Sequence, residues 1–325
     1  MRYFLGIDVA KEKLDCLWLR DTESLKIKTK VFPNQPKGFS DLKAWLKKNV
    51  TDELSDIHVT LEPTGVYHEP LAYALLEMGV NVSIVNPAKV REFSNSLGSK
   101  NKTDKKDSMM LARYGVMAKP RLWQPEPTEI RELKALLARL SALQADLQRE
   151  LNRMEKAQIS QASQAVIESI DMMIEGLRKE VARVEKQIND HIDQNPDLKR
   201  DRELLKSIPA VANVVSREML ALLRSRDFEY AGQASAFIGL VPRLWESGTM
   251  KGRTTLSKNG SSRIRAMLYM AAVVAIRHNP DIKRQYERLL SAGKTKMQAI
   301  GAAMRKLVQI CYGVLKHQSE YRPQV

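Results

Sequence analysis

The sequence predicts an α/β domain followed by all-α regions, and three patterns carry that prediction. Over residues 1–125, short β-rich runs alternate with amphipathic stretches. Between Pro127 and Pro196 there is no proline and one glycine, Gly176, while apolar residues recur at spacings of three and four. Residues 197–325 read as helices broken by one long Gly/Ser/Thr stretch. A chain of 325 residues accommodates two or more such domains.

Taken in order, RYFLGIDVA, LDCLWLRD and KIKTKVF are rich in β-branched and aromatic residues and predict three successive strands. GFSDLKAWLKKN predicts a helix, DIHVTLE a fourth strand, PLAYALLEMG a second helix and NVSIVNP a fifth strand ended by Pro87. A helix from about Thr103 to Met117 closes this domain. Three strands and then alternating helix and strand is the order of an RNase H-like sheet. Next, over 126–196, Leu133, Leu137, Leu140, Leu147, Leu151 and Met154 form a heptad seam. After the polar break KAQISQASQ it resumes at Ile167, Ile170, Ile174, Leu177, Val181, Val184 and Ile188. Two long coiled-coil helices are expected, paired as a hairpin or with another subunit. In the basic, mostly helical 197–325 domain, KSIPAVANVVSREMLALL reads as a helix-turn-helix pair. SGTMKGRTTLSKNGSSR reads as a loop, and RIRAMLYMAAVVAIRH and KMQAIGAAMRKLVQICYGVLK as helices.

The formal net charge is +15, and it is unevenly spread. Residues 240–325 hold 16 Lys/Arg against 4 Asp/Glu, whereas the first 239 hold 37 against 34. A basic C-terminal end points to a polyanion, of which nucleic acid is the common case. The opening residues run straight into a strand, which predicts no secretory leader. The longest apolar run, MLYMAAVVAI, is far short of the ~20 residues a bilayer takes. Cys16 and Cys311 are too far apart for metal-ligand spacing, so buried thiols in a cytoplasmic protein are expected.

Four acids carry the chemistry. Asp104 and Asp107 lie three apart at the mouth of a helix, among Lys100, Lys102, Lys105 and Lys106. Alone, they read as first-turn acids complementing the helix dipole. Asp8 interrupts an apolar strand, and Glu62 ends another. An RNase H-like sheet sets its first strand beside its fourth and packs its last helix across that edge, which gathers all four acids. Four carboxylates at one place need divalent cations, and hard oxygen ligands select Mg²⁺ or Mn²⁺. Two such ions activate a nucleophile and stabilise a leaving oxygen in phosphoryl transfer. The lysines then hold a phosphate backbone.

GIDVAKEKLD, LEPTGVYHEPLA and VNPAKVREFSNSLGSKNKTDKKDSMMLA resemble the N-terminal domain of the DEDD-type insertion-sequence transposases, the family numbered one hundred and ten, which includes the Piv-type DNA invertases. FIGLVPRLWESGTMKGRTTLSKNGSSRIRAMLYMAA resembles that family's C-terminal domain. The resemblance implies a RuvC-like domain with its D-E-D-D acids on Asp8, Glu62, Asp104 and Asp107. It also implies a serine nucleophile at Ser247, multimeric action on DNA as dimer or tetramer, a bacterial nucleoid-associated setting and, for the transposases, a structured bridge RNA. IPAVAN stands where family members often carry a glycine-containing turn.

Read without the resemblance, the segment around Ser247 is a phosphate-contacting loop. Lys251, Arg253 and Lys258, with Arg263 and Arg265 at the head of the next helix, form its cationic set. No histidine lies near Ser247 in sequence, so its activation must come from elsewhere. Three other readings remain. A junction endonuclease would use the same acids with water as nucleophile. A tyrosine recombinase would use Arg277, His278 and Tyr286. A non-catalytic nucleic-acid scaffold would leave Asp8 without a purpose.

Overall fold

The computed structural model describes residues 2–98, 104–243, 246–247, 250–251 and 254–324, with backbone alone at 104–105, 246–247 and 250–251. Two compact units result, Met1–Pro125 and Glu126–Val325.

The first unit is built on strands β1 (Tyr3–Val9), β2 (Lys13–Leu19), β3 (Ile27–Pro33), β4 (Ile57–Leu61) and β5 (Asn81–Ile84). Their order across the sheet is β3-β2-β1-β4-β5. β1, β2 and β3 pair antiparallel, and β1, β4 and β5 pair parallel. That is the RNase H-like arrangement. Helices α1 (Pro36–Asn49), α2 (Glu69–Glu77), α3 (Pro87–Ser96) and α4 (Asp104–Ala118) complete the unit. Strand alternation divides the sheet into two faces. Leu5, Ile7, Leu14, Cys16, Phe32, Val59 and Leu61 share one core with Phe39, Leu42 and Trp45 of α1 and Leu71 and Leu75 of α2. On the other face, Leu17 and Leu19 pack with Ala112 of α4.

The sequence pattern did not reveal α3. Pro87 ends a strand, but it also stands at the first helical position, where a missing N–H costs nothing. The Asn86 side chain accepts from the Ala88 N–H and caps the helix.

The second unit opens with α5 (Thr128–Ile159) and α6 (Gln164–Gln194). They pair with each other within the chain. His191 Nε2 at the end of α6 sits 2.8 Å from Glu129 O at the start of α5, so the pair is antiparallel. The seam residues Leu133, Leu137, Leu140, Val184 and Ile188 are buried in a core that continues without a break to Leu315. That core includes α7 (Pro196–Lys206), α8 (Asn213–Arg224), α9 (Ala231–Ile238), α10 (Ser262–His278), α11 (Pro280–Ser291) and α12 (Lys296–His317). In the turn between α7 and α8, Ala210 has φ +77°. An alanine therefore holds a left-handed conformation that favours glycine, within the IPAVAN segment. Among the described residues no helix is long and apolar enough to cross a membrane.

Candidate active site

Strand register sets two of the acids side by side. Ile7 of β1 is partnered by Leu61 of β4 in the parallel pair. Asp8 and Glu62 are the next residues on their chains, so they leave adjacent strands at the same level. Alternation puts both on the face of Gly6 and Thr60, away from the Ile7–Leu61 core. Both are half-buried.

α4 crosses this face at very short range. A Cβ added to Gly6 would lie 1.9 Å from Ser108 O and 2.6 Å from Ala112 N. One added to Gly115 would lie 2.4 Å from Thr60 Oγ1 and 3.9 Å from the Phe4 ring. Ser108 and Ala112 thus lie over Gly6, and Gly115 lies over Thr60 on the Phe4 side. The helix runs antiparallel to β1, and its first turn, 104–107, reaches the level of Asp8 and Glu62. Ser108 Oγ pins that turn by donating to Asp15 O at 2.8 Å. Asp15 is the register partner of Asp8 across the β1–β2 ladder. Lys13 Nζ lies 2.9 Å from the Asp15 carboxylate and offsets the repulsion of two acids facing across strands. Asp107, next to Ser108, is half-buried, and Lys106 is exposed.

The acids on this face offer carboxylate oxygens, the chemistry that suits a hard divalent cation. A costly half-buried acid at the end of an apolar strand fits the same purpose. Among the described residues, no three His, Cys, Asp or Glu side chains come close enough to share an ion. The Asp104 side chain is outside that set. Asp8 and Glu62 each also have a polar partner within the chain.

Sequence reading passed over two features of this site. Ser108, Ala112 and Gly115 form a small-residue stripe at helical spacing, and it lets α4 approach the sheet. Asp15 was read only as a strand residue, yet it neighbours Asp8.

In the second unit, Ser247 belongs to a two-residue strand, β7 (Glu246–Ser247), paired antiparallel with β8 (Met250–Lys251). Ser247 is opposite Met250, and Glu246 opposite Lys251. A second ribbon, β6 (Pro242–Arg243) with β9 (Thr255–Leu256), carries them. Its root is stitched by backbone bonds, Ser257 N–H to Val241 O at 2.9 Å and Lys258 N–H to Gly239 O at 3.1 Å. Arg265 ties the same root by donating to Ile238 O at 3.1 Å and Gly260 O at 2.6 Å. Arg263 forms a bidentate pair with Glu218 of α8, whose carboxylate is largely buried. The Glu218 carboxylate beside it pushes the Arg263 pKa further up. Lys258 is exposed. Lys100, Lys102 and Arg253 lie outside the described residues, and Lys105 and Lys251 are described in backbone only. Tyr286 packs partly against the second unit's core, while Arg277 and His278 are exposed.

Residues 5–159 match a transposase family of the IS110-type DEDD class, and residues 202–287 match the family described as transposase IS116/IS110/IS902. The pilin gene-inverting protein of Moraxella bovis is 31% identical over 321 residues, covering 98% of this chain and 97% of that protein. The chain belongs to the IS110/IS116/IS902 transposase family. A family member from Coxiella burnetii, the transposase for insertion sequence element IS1111A, is 25% identical over 273 residues, 75% of this chain and 74% of that one. A solved chain of T. thermophilus RuvC in complex with Holliday junction substrate is 17% identical and covers 38% of this chain and all of its own, with a TM-score of 0.25. The RNase H-like order of the sheet stands on its own topology. As a member of this family, the chain is an enzyme of DNA recombination.

Proposed function

We propose that this transposase-family recombinase cleaves and exchanges DNA strands with Asp8, Glu62, Asp104 and Asp107 as holders of Mg²⁺, or Mn²⁺ in its place, and Ser247 as nucleophile. The observation that supports it most is the seating of the first turn of α4 at the level of Asp8 and Glu62. The bound cations would supply Lewis-acid stabilisation of the charge that develops on phosphate oxygens. The chain's own residues do the rest. Ser247 Oγ bonds to the phosphorus as the bridging P–O bond breaks. Its proton passes to solvent water, and the departing DNA oxygen takes a proton from solvent to leave as a hydroxyl. Lys251, Arg253 and Lys258 steady the phosphate electrostatically, and Lys100, Lys102, Lys105 and Lys106 hold the backbone beside the acids. The enzyme works as a homo-oligomer in the bacterial nucleoid, with a bridge RNA selecting the DNA.

Asp107→Asn tests the metal assignment. It removes one anionic ligand and keeps the shape. Mg²⁺ or Mn²⁺ affinity measured by calorimetry should fall, and strand transfer should drop on the order of 10³-fold, equivalent to about 4 kcal/mol. DNA affinity should stay near the parent value. Full recombination by this variant would refute the assignment.

One observation favours a second reading, inversion in place of transposition: the near full-length similarity to a pilin gene-inverting protein. Topological analysis of the recombined plasmid separates the two, since inversion leaves the segment in place with its orientation reversed.

A further inference from the structure

The sheet carries a second charged surface, on the face turned away from the acids. Residues 26–48 contain seven lysines against one acid, Asp41. All seven lysines are exposed. Register fixes where they stand. Lys28 and Lys30 of β3 are partnered by Trp18 and Cys16 of β2, and Cys16 is buried in the core beneath α1 and α2. Lys28 and Lys30 therefore rise on the α1 face, whereas Asp8 rises on the α4 face. Lys28 Nζ donates to Asn49 Oδ1 at the end of α1, and the Lys30 ammonium lies 5.2 Å from the centre of the Phe32 ring. α1 turns Phe39, Leu42, Trp45 and Leu46 inward, which leaves Lys43, Lys47 and Lys48 outward. A groove between β3 and α1 is walled by Lys30 and Lys48, and another between α1 and α2 by Lys43 and Lys47.

Lysines on an edge strand guard it against pairing with another chain, and β3 is an edge. That accounts for β3 but not for the lysines of α1. A lysine is a compact point charge that holds phosphate without reading bases. Repeated exposed lysines from two elements match a repeated anion, and duplex DNA presents one charge about every 1.7 Å of axis. A duplex is stiff over tens of base pairs. One lying along the α4 face does not wrap around the sheet to the α1 face.

We propose that the β3–α1 lysine face binds the backbone of a second duplex DNA, distinct from the one whose phosphate reaches the acids. This rests on the acidic face being the catalytic one, because exchange joins two duplexes and the sheet offers them opposite faces.

The test uses the full-length protein with Lys43, Lys47 and Lys48 changed together to Gln, a good helix former. Affinity for non-specific duplex DNA is measured against salt concentration. The log–log slope should fall by up to about 2.7, since each lost phosphate contact removes about 0.9. Cleavage of one short duplex should keep its parent rate, while transfer between two duplexes should drop. The matching Arg triple should restore the slope; failure to restore it means that packing and not charge was lost, which overturns the proposal. An unchanged DNA slope, or a slope that falls only with a structured RNA, also overturns it. If the parent protein performs no strand transfer at all, the reading of the acidic face fails, and the salt slope still decides the lysine face.

Discussion

In the first unit, Asp8 and Glu62 hang from the two central parallel strands of a five-stranded sheet, with a helix pressed onto them at backbone contact distance. In the second unit, Ser247 sits on a strand of two residues, opposite Met250, at the end of a ribbon whose own strands are also two residues long. The carboxylates are positioned by backbone register. The serine ribbon is positioned by its root, where Arg265 and the Gly239 and Val241 carbonyls tie both ends together. A change to the sheet should therefore move the acids and the stability together. A change at the ribbon's root should act first on stability and through it on the serine.

Among packing changes, the largest effect is expected at Gly6. An alanine there puts a methyl carbon against the Ser108 and Ala112 backbone, which cannot rotate away. α4 must shift, costing about 1–3 kcal/mol as overpacking. Recombination should fall on the order of 10²-fold, because about 1 Å of misplacement is enough for that. Gly115→Ala meets only the Thr60 hydroxyl, a side-chain group, and should do less harm to both. Thermal melting and strand transfer measured side by side check the order. Equal activity in parent and Gly6→Ala would break the link between α4 and the acids.

Arg263→Ala comes next. It leaves the largely buried Glu218 carboxylate without its bidentate partner. The arginine is itself about half exposed (47%), so the loss should be about 1–3 kcal/mol and not more. Chemical denaturation reads it. If Arg263 serves chiefly as a DNA contact, stability stays put and DNA affinity falls instead.

The smallest change concerns Ala210. Glycine relieves its left-handed backbone, so Ala210→Gly should raise stability by about 1 kcal/mol. A loss of stability there would mean that the methyl group packs well enough to outweigh the strain.

The sequence showed the strands plainly, because YFLGIDV and KLDCLWL are short, mostly apolar runs, and both lie largely buried. Register then followed from the RNase H-like order, and Asp8 and Glu62 came with it. The long helices were equally visible from their seam, although periodicity alone does not say whether a seam closes on its own chain. α3 was hidden because Pro87 serves two purposes. The lysine face was hidden because charge summed over 239 residues nearly cancels, while the 26–48 segment does not. Gly6, Ser108, Ala112 and Gly115 are ordinary residues singly, and only the packed helix reveals why they are small. Ser247 stood out through family resemblance, since a Ser/Gly/Lys segment by itself is what any phosphate-contacting loop looks like.

One measurement bears most directly on the account: a denaturing gel of labelled DNA incubated with Mg²⁺ and the parent protein, Ser247→Ala or Asp107→Asn. The parent should give a protein–DNA adduct that survives denaturation, and both variants should bind DNA yet give none. An adduct that persists in Ser247→Ala would move the nucleophile to another residue. Cleaved DNA without an adduct in the parent would contradict a serine nucleophile altogether and leave water as the attacking group.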